Sequence, residues 1–336
     1  MTAEAVKETK KSKSKSYLNG MIGIGIGLVL AISLGVGTGY ILSGVFPPYQ
    51  KPDLTSNLDP LNYAVSAKEK AKLLESYKGN PLNTKLKKWD LINAAFSKFE
   101  NSKYNQSKGI GKAAAIIGPL RVDQQIRSTM IRNGDSYFEE SLSRSSAVKV
   151  AWRMYQDNNK DGKTYRYKGD CPNDVEKPVF DANAEPTMVA TEEEYLEAAG
   201  RNLDGNASVY IVSEKTIASS DQDVTSGLPF EEIKTNEDGS YTINLELNPL
   251  LSTLYYVRQM KQTTPMNSTP IFDYVHLSVT FTKDLDLISS TSTERYFAST
   301  PSGSSNIEGA LTTTFSVGNA DSFAIPSLTD VLPYTH

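Results

Sequence analysis

The run from Leu18 to Phe46 constrains this chain more than any other feature: it holds no charged residue and is crowded with glycine. It is well above the roughly 20 residues that cross about 30 Å of hydrocarbon. A secretory signal has a shorter apolar stretch and a small-x-small cleavage site, whereas here apolar residues continue past the small ones. A phosphate-binding glycine loop needs a preceding strand, a following helix and usually a lysine. "GIGIG" lies inside one apolar run that offers no such lysine. The run therefore reads as a retained transmembrane helix, since lipid leaves every backbone N–H and C=O to be satisfied internally. Pro47 and Pro48 end it.

Charge orients the helix. Lys7, Lys10, Lys11, Lys13 and Lys15 against Glu4 and Glu8 give residues 1–17 a charge of +3, so the remainder carries −7 of the total −4. Lysines ahead of a span favour the cytoplasmic side, which places the acidic body outside the cell. An acidic body also argues against nucleic acid as a partner. Gly23, Gly27, Ala31, Gly35 and Gly39 recur every fourth residue and make one smooth stripe along the helix. Such a stripe lets a second helix approach closely, in a homodimer or with a membrane-protein partner, and it also occurs in plain glycine-rich anchors. The expected organisation is a basic tail (1–17), a transmembrane helix (18–46), a juxtamembrane linker (47–65) and an extracytoplasmic domain (66–336).

Within that domain, Ser66 and Glu69 have capping-box spacing ahead of a short helix stopped by Gly79. Leu86, Trp89, Ile92, Phe96 and Phe99 make a helical apolar stripe over about 83–103. From Gly109 the period changes to two. Val122, Ile126 and Met130 share one strand face, "RNGD" is a hairpin signal, and Phe138 and Leu142 return together. Val148, Val150, Trp152 and Met154 alternate with Lys149, Ala151, Arg153 and Tyr155. Strands are also expected at 164–168, at "ASVYIVSEKTI", and at Tyr241, Ile243, Leu245 and Leu247. Asn248-Pro249 opens another helix. Val275, Leu277, Val279 and Phe281 alternate with polar residues, "KDLD" turns, and "ALTTTFSV" is a last strand. Half-apolar strands with a few inserted helices predict an α+β domain: a curved, mostly antiparallel half-barrel sheet with helices on its concave face.

No catalytic, cofactor-binding or metal-ligating constellation emerges. Asp157, Asn159, Asp161 and Gly162 match half of a calcium loop, but Lys168 stands where the bidentate acid belongs. No glycine elbow surrounds a serine, so a Ser–His–acid arrangement would depend on His276. Glu139 and Glu140 are neighbours on opposite strand faces and make a poor acid–base pair. The lone Cys171 reads as an incidental loop thiol. Tyr137, Phe138, Tyr155, Tyr165, Tyr167, Tyr241, Tyr274, Phe281, Tyr296, Phe297 and Phe315 supply many strand aromatics, which either line a groove or simply form strands.

The stretches "QQIRSTMIRNGDSYFEESLSRSSAVKVAWRMYQDNNKDGKTYRYKG" and "FDYVHLSVTFTKDLDLISSTSTERY" resemble membrane-anchored or lipid-anchored extracellular proteins of Gram-positive bacteria. Those in turn are similar to LolA/LppX-type lipoprotein carriers, an incomplete barrel around an apolar groove covered by helices. The resemblance is one of strand rhythm over about 110–317, and the chain lacks a lipobox cysteine. It implies a lipid or other apolar ligand held without covalent chemistry or cofactor, with Val148, Val150, Trp152, Met154, Val275, Leu277, Val279 and Phe281 as groove-lining candidates. The expected protein is thus a single-pass, membrane-anchored extracytoplasmic binding or scaffold module. An envelope enzyme acting on glycan or peptide, and a structural subunit of a membrane complex, are the alternatives.

Overall fold

Among the described residues, period-two patterning becomes eleven antiparallel strands in one open sheet, so the computed structural model is α+β. It describes residues 55–117, 119–145, 149–157, 163–171, 185–191, 194, 210–218, 233–263, 266–300 and 303–326. The apolar run of residues 18–46, expected to span a membrane, and its glycine stripe lie outside these residues. Among the described residues no helix is long and apolar enough to cross a membrane.

The strands are β1 (Tyr104–Ile117), β2 (Leu120–Asn133), β3 (Ser136–Ser145), β4 (Lys149–Asp157), β5 (Lys163–Gly169), β6 (Met188–Thr191), β7 (Lys234–Thr235), β8 (Tyr241–Leu247), β9 (Ser268–Phe281), β10 (Leu287–Thr300) and β11 (Gly303–Val317). Their order is β6-β5-β4-β3-β2-β1-β11-β10-β9-β8-β7. Two meanders are joined where the first strand pairs with the last, Asn105 with Val317 through Ile116 with Asn306. The hairpin between β2 and β3 keeps Asn133 in the strand, paired with Ser136. Gly134 alone adopts positive φ, at 64°, as the first central residue of a two-residue turn.

The helices are α1 (Ala67–Ser76), α2 (Lys88–Glu100) and α3 (Leu254–Thr263); α1 starts where its capping box places it, whereas α2 starts at Lys88 and not near residue 83, and Asn248-Pro249 opens a run of turns that leads into α3. Ser66 and Glu69 close a reciprocal capping box. Asn248 Oδ1 accepts from the N–H groups of Leu250 and Leu251 ahead of α3. The stretch "ASVYIVSEKTI" is not a strand in its described part. Residues 210–218 form a strap with a short 3₁₀ turn at Glu214–Thr216 and one bridge, Ile217 to Leu247. Its hydrogen bonds go to other partners: Asn93 Nδ2 donates to the Val212 carbonyl at 2.8 Å, and Thr216 Oγ1 to the Ile211 carbonyl at 2.7 Å.

One face of the sheet carries the core. Phe99 and Phe96 of α2 meet Phe315 edge-on, at 5.0 and 5.9 Å between ring centroids. Tyr256 of α3 meets Phe272 at 5.5 Å, which leans on Tyr296 at 4.8 Å. Val275, Leu277, Val279 and Phe281 join this core at 0 to 5% exposure, alongside Ile243, Leu245 and Leu247. The opposite face of the same strands presents Thr, Ser and charged side chains, the usual one-face burial of an antiparallel sheet.

Glycines on the core face of β1 permit close approach. A Cβ at Gly111 would lie 2.8 Å from the Ala310 carbonyl oxygen, and one at Gly109 would lie 2.4 Å from Ser128 Oγ. Gly111→Val is expected to cost about 2–3 kcal/mol, because backbone has to move to admit the side chain. Urea unfolding of the two proteins measures this; a loss below roughly 0.5 kcal/mol would show that the β1–β11 seam is not tightly packed there.

Candidate functional site

Cross-strand register, not any contiguous motif, assembles the open groove of this molecule. Ala310 of β11 pairs with Lys112 of β1, Lys112 with Gln125 of β2, Gln125 with Arg144 of β3, and Arg144 with Lys149 of β4. Thr293 of β10 extends the row beyond Ala310, and His276 of β9 and Glu246 of β8 extend it further. Directly opposed residues in a sheet share a face. The row therefore crosses eight strands on the face turned away from the helices.

Six members of that row, from Thr293 to Lys149, line a groove of about 940 Å³. Ala114 and Ala310 give it a shallow small-residue floor, with backbone exposed at Ala113 and Gly309, and Arg121, Asp123, Glu308 and Tyr274 complete its walls. Arg121 occupies both acids: its Nε is 2.9 Å from Asp123 and its Nη1 3.8 Å from Glu308. Arg144 donates to the Cys171 carbonyl at 2.9 Å. The cationic end of the row thus stands beside acids that are already paired.

A second polar cluster lies on the core face. Glu294 follows Thr293 in β10, so its side chain turns inward where Thr293 turns to the groove. Its strand neighbour on that face is Gly309. Tyr210 of the strap donates to Glu294 Oε2, and Tyr256 of α3 donates to Oε1 at 3.2 Å. Burial raises the Glu294 carboxyl from an ordinary 4.5 to about 7, opposed by the two tyrosine hydrogen bonds. Burial, followed by the nearby Glu294 charge, drives Tyr210, Tyr256 and Tyr296 well above the usual phenol value. All three phenols stay protonated and able to donate.

The sequence-derived candidates distribute as follows. Val275, Leu277, Val279 and Phe281 are packed against the protein's own helices, because α2, α3 and the strap fill that face. Val148 lies outside the described residues. Val150, Trp152 and Met154 sit in β4 opposite Ser143, Ser141 and Glu139. The remainder of the half calcium loop after Asp157 lies outside the described residues. His276 is half-buried on the groove-side face, stacked on Tyr274 at 4.8 Å, with Nε2 3.8 Å from Glu246, beyond hydrogen-bond length. Glu139 and Glu140 do separate: Tyr137 donates to Glu139 at 2.7 Å on one face, and Arg153 pairs with Glu140 at 2.5 Å on the other. Cys171 is buried against Leu142 and Ala151, and burial raises its thiol, which disfavours the reactive thiolate. Among the described residues no group of three or more His, Cys, Asp or Glu side chains is placed to hold a metal ion.

Sequence reading missed the cation row and Glu294. Lys112, Arg144 and Lys149 each look like ordinary solvent-side strand residues until register aligns them. Glu294 did leave a signal: in "STSTERYF" it occupies the same parity as Tyr296, which faces the core.

No family model and no curated protein matches this chain. Among solved structures, a DUF1329 family protein from Desulfovibrio piger is similar at 11% identity, covering 70% of this chain and 93% of its own, with a TM-score of 0.22. A tesB protein of Mycobacterium avium subspecies paratuberculosis is similar at 9% identity, covering 75% of this chain and all of its own, with a TM-score of 0.12. At those scores the function is left to the site itself.

Proposed function

We propose that this is a membrane-anchored extracytoplasmic binding module that holds an envelope component in the groove crossing β10, β11, β1, β2, β3 and β4. The observation that carries the reading is the groove itself: about 940 Å³ of open space with a floor of small residues and a polar wall. The apolar face of β8 and β9 that a hydrocarbon chain would need is taken up by the protein's own core. Leu18–Phe46 anchors the domain, Lys7 to Lys15 hold the N-terminus in the cytoplasm, and the glycine stripe offers a seat for a second helix. A lipid, as in a LolA/LppX-type carrier, is the second reading; Ala114 and Ala310 favour it by giving an uncharged chain a place to lie.

Full-length protein taken from membranes in mild detergent is expected to carry a ligand visible by native mass spectrometry, and Ala310→Trp is expected to remove it by filling the groove. An empty wild-type protein, or a ligand that survives Ala310→Trp, would move the function away from this site. Protease added to intact cells is expected to digest the body and spare the lysine-rich tail; the opposite pattern overturns the placement.

A further inference from the structure

We infer that the groove takes a linear polyanion laid across the strands, a chain with phosphodiester or carboxylate charges repeated along its length. This rests on the groove reading above and names its ligand class. Lys112, Arg144 and Lys149 occupy one register row on one face, with Gln125 between the first two. Neighbouring strands lie about 4.8 Å apart, so Lys112 and Lys149 are separated by roughly 14 Å with Arg144 in line between them. A compact anion, such as free phosphate or a single headgroup, is best held by donors that converge on one point. Cations strung along a line instead meet the successive charges of a chain.

The row retains its charge for a ligand. Neither Lys112 nor Lys149 pairs with a carboxylate among the described residues, while Asp123 is paired with Arg121 and Glu308 stands between Arg121 and Arg295. The contrast with the rest of the molecule is sharp, because the chain beyond residue 17 carries −7. Gln125 adds an amide that hydrogen-bonds the uncharged links between charges. Tyr274 is the one aromatic among the described groove residues, at its edge, whereas single-stranded nucleic acid needs a series of stacking rings. That selects an acidic polymer without bases.

Binding to full-length protein in uncharged detergent tests this, with inorganic polyphosphate and polygalacturonate as probes for the two charge types, and orthophosphate, phosphatidylglycerol vesicles and oligothymidylate as controls. At least one of the two polymers is expected to bind, and the better one identifies the repeat as phosphate or carboxylate. Lys112→Gln with Lys149→Gln is expected to weaken binding roughly ten-fold or more at an unchanged melting temperature, and to flatten the log–log salt slope by about 1.4. Lys108→Gln, elsewhere on the same face of β1, is expected to change little. The inference is overturned if neither polymer binds, if the double variant binds as wild type, or if orthophosphate, vesicles or oligothymidylate bind as tightly as the polymers. Ala310→Trp separates the two readings. If it blocks the copurifying ligand while the lysine variants leave polymer binding intact, the groove stands and the polyanion falls. If the lysine variants abolish polymer binding but Ala310→Trp does not, the cations act outside the groove and the groove reading falls.

Discussion

Glu294→Gln is expected to be more stable than the wild-type protein at pH 8.5 and close to it at pH 5. The wild-type carboxyl is raised from 4.5 in the unfolded chain to about 7 in the fold, so the native state holds this proton more tightly. A raised carboxyl contributes its full stability below pH 4.5, loses it as pH rises to 7, and above that leaves an ionised group buried between Tyr210, Tyr256 and Tyr296. The shift corresponds to about 3 kcal/mol across that window. The glutamine amide keeps an acceptor oxygen for one tyrosine and has no charge to bury, so its stability is flat through the same window. Urea unfolding at pH 5, 7 and 8.5 reads the difference between the two curves; parallel curves would show that Glu294 does not titrate in the folded protein. Glu294→Ala is expected to lose at every pH, because it strands two buried hydroxyls and leaves a void beside Gly309.

The largest loss from a single core residue is expected at Phe99. Its ring is 1% exposed and packs edge-on to Phe315 at 5.0 Å, in the contact that seats α2 on β11. Phe99→Ala is expected to cost about 3–5 kcal/mol, the sum of lost transfer energy and the cavity left behind. Phe99→Leu is expected to recover more than half of that, since most of the volume returns. Denaturant melts of the three proteins decide it. A loss below about 1 kcal/mol for Phe99→Ala would mean that α2 is held by its polar contacts, Asn93 to Val212 and Lys98 to Asp286, and not by this packing.

Much of this architecture was legible because its signals are local. The period of two in Tyr241, Ile243, Leu245 and Leu247 states which side chains go inward, whatever those strands pair with. Gly134 and the Ser66–Glu69 box act within four residues, so their chemistry survives without tertiary context. "ASVYIVSEKTI" misled because β-branched and aromatic residues mark burial as readily as strand: Tyr210, Ile211 and Val212 are buried as a strap under α2 and α3. The groove candidates misled for a related reason. Alternation places Val275 and Phe281 on an apolar face but does not say whether a ligand or a helix covers it.

What the residues alone determined is which stretches are extended, which are helical, where the chain turns, and that one long apolar run precedes an acidic body. What only the tertiary structure decided is which positions become neighbours. Lys112, Arg144 and Lys149 fall in line through three separate pairings, and Glu294 meets Tyr210 and Tyr256 from segments far apart in the chain. Local conformation follows from torsional and capping preferences within a few residues. Register, the covering of a face and the field around a buried acid arise from the packing of the whole sheet.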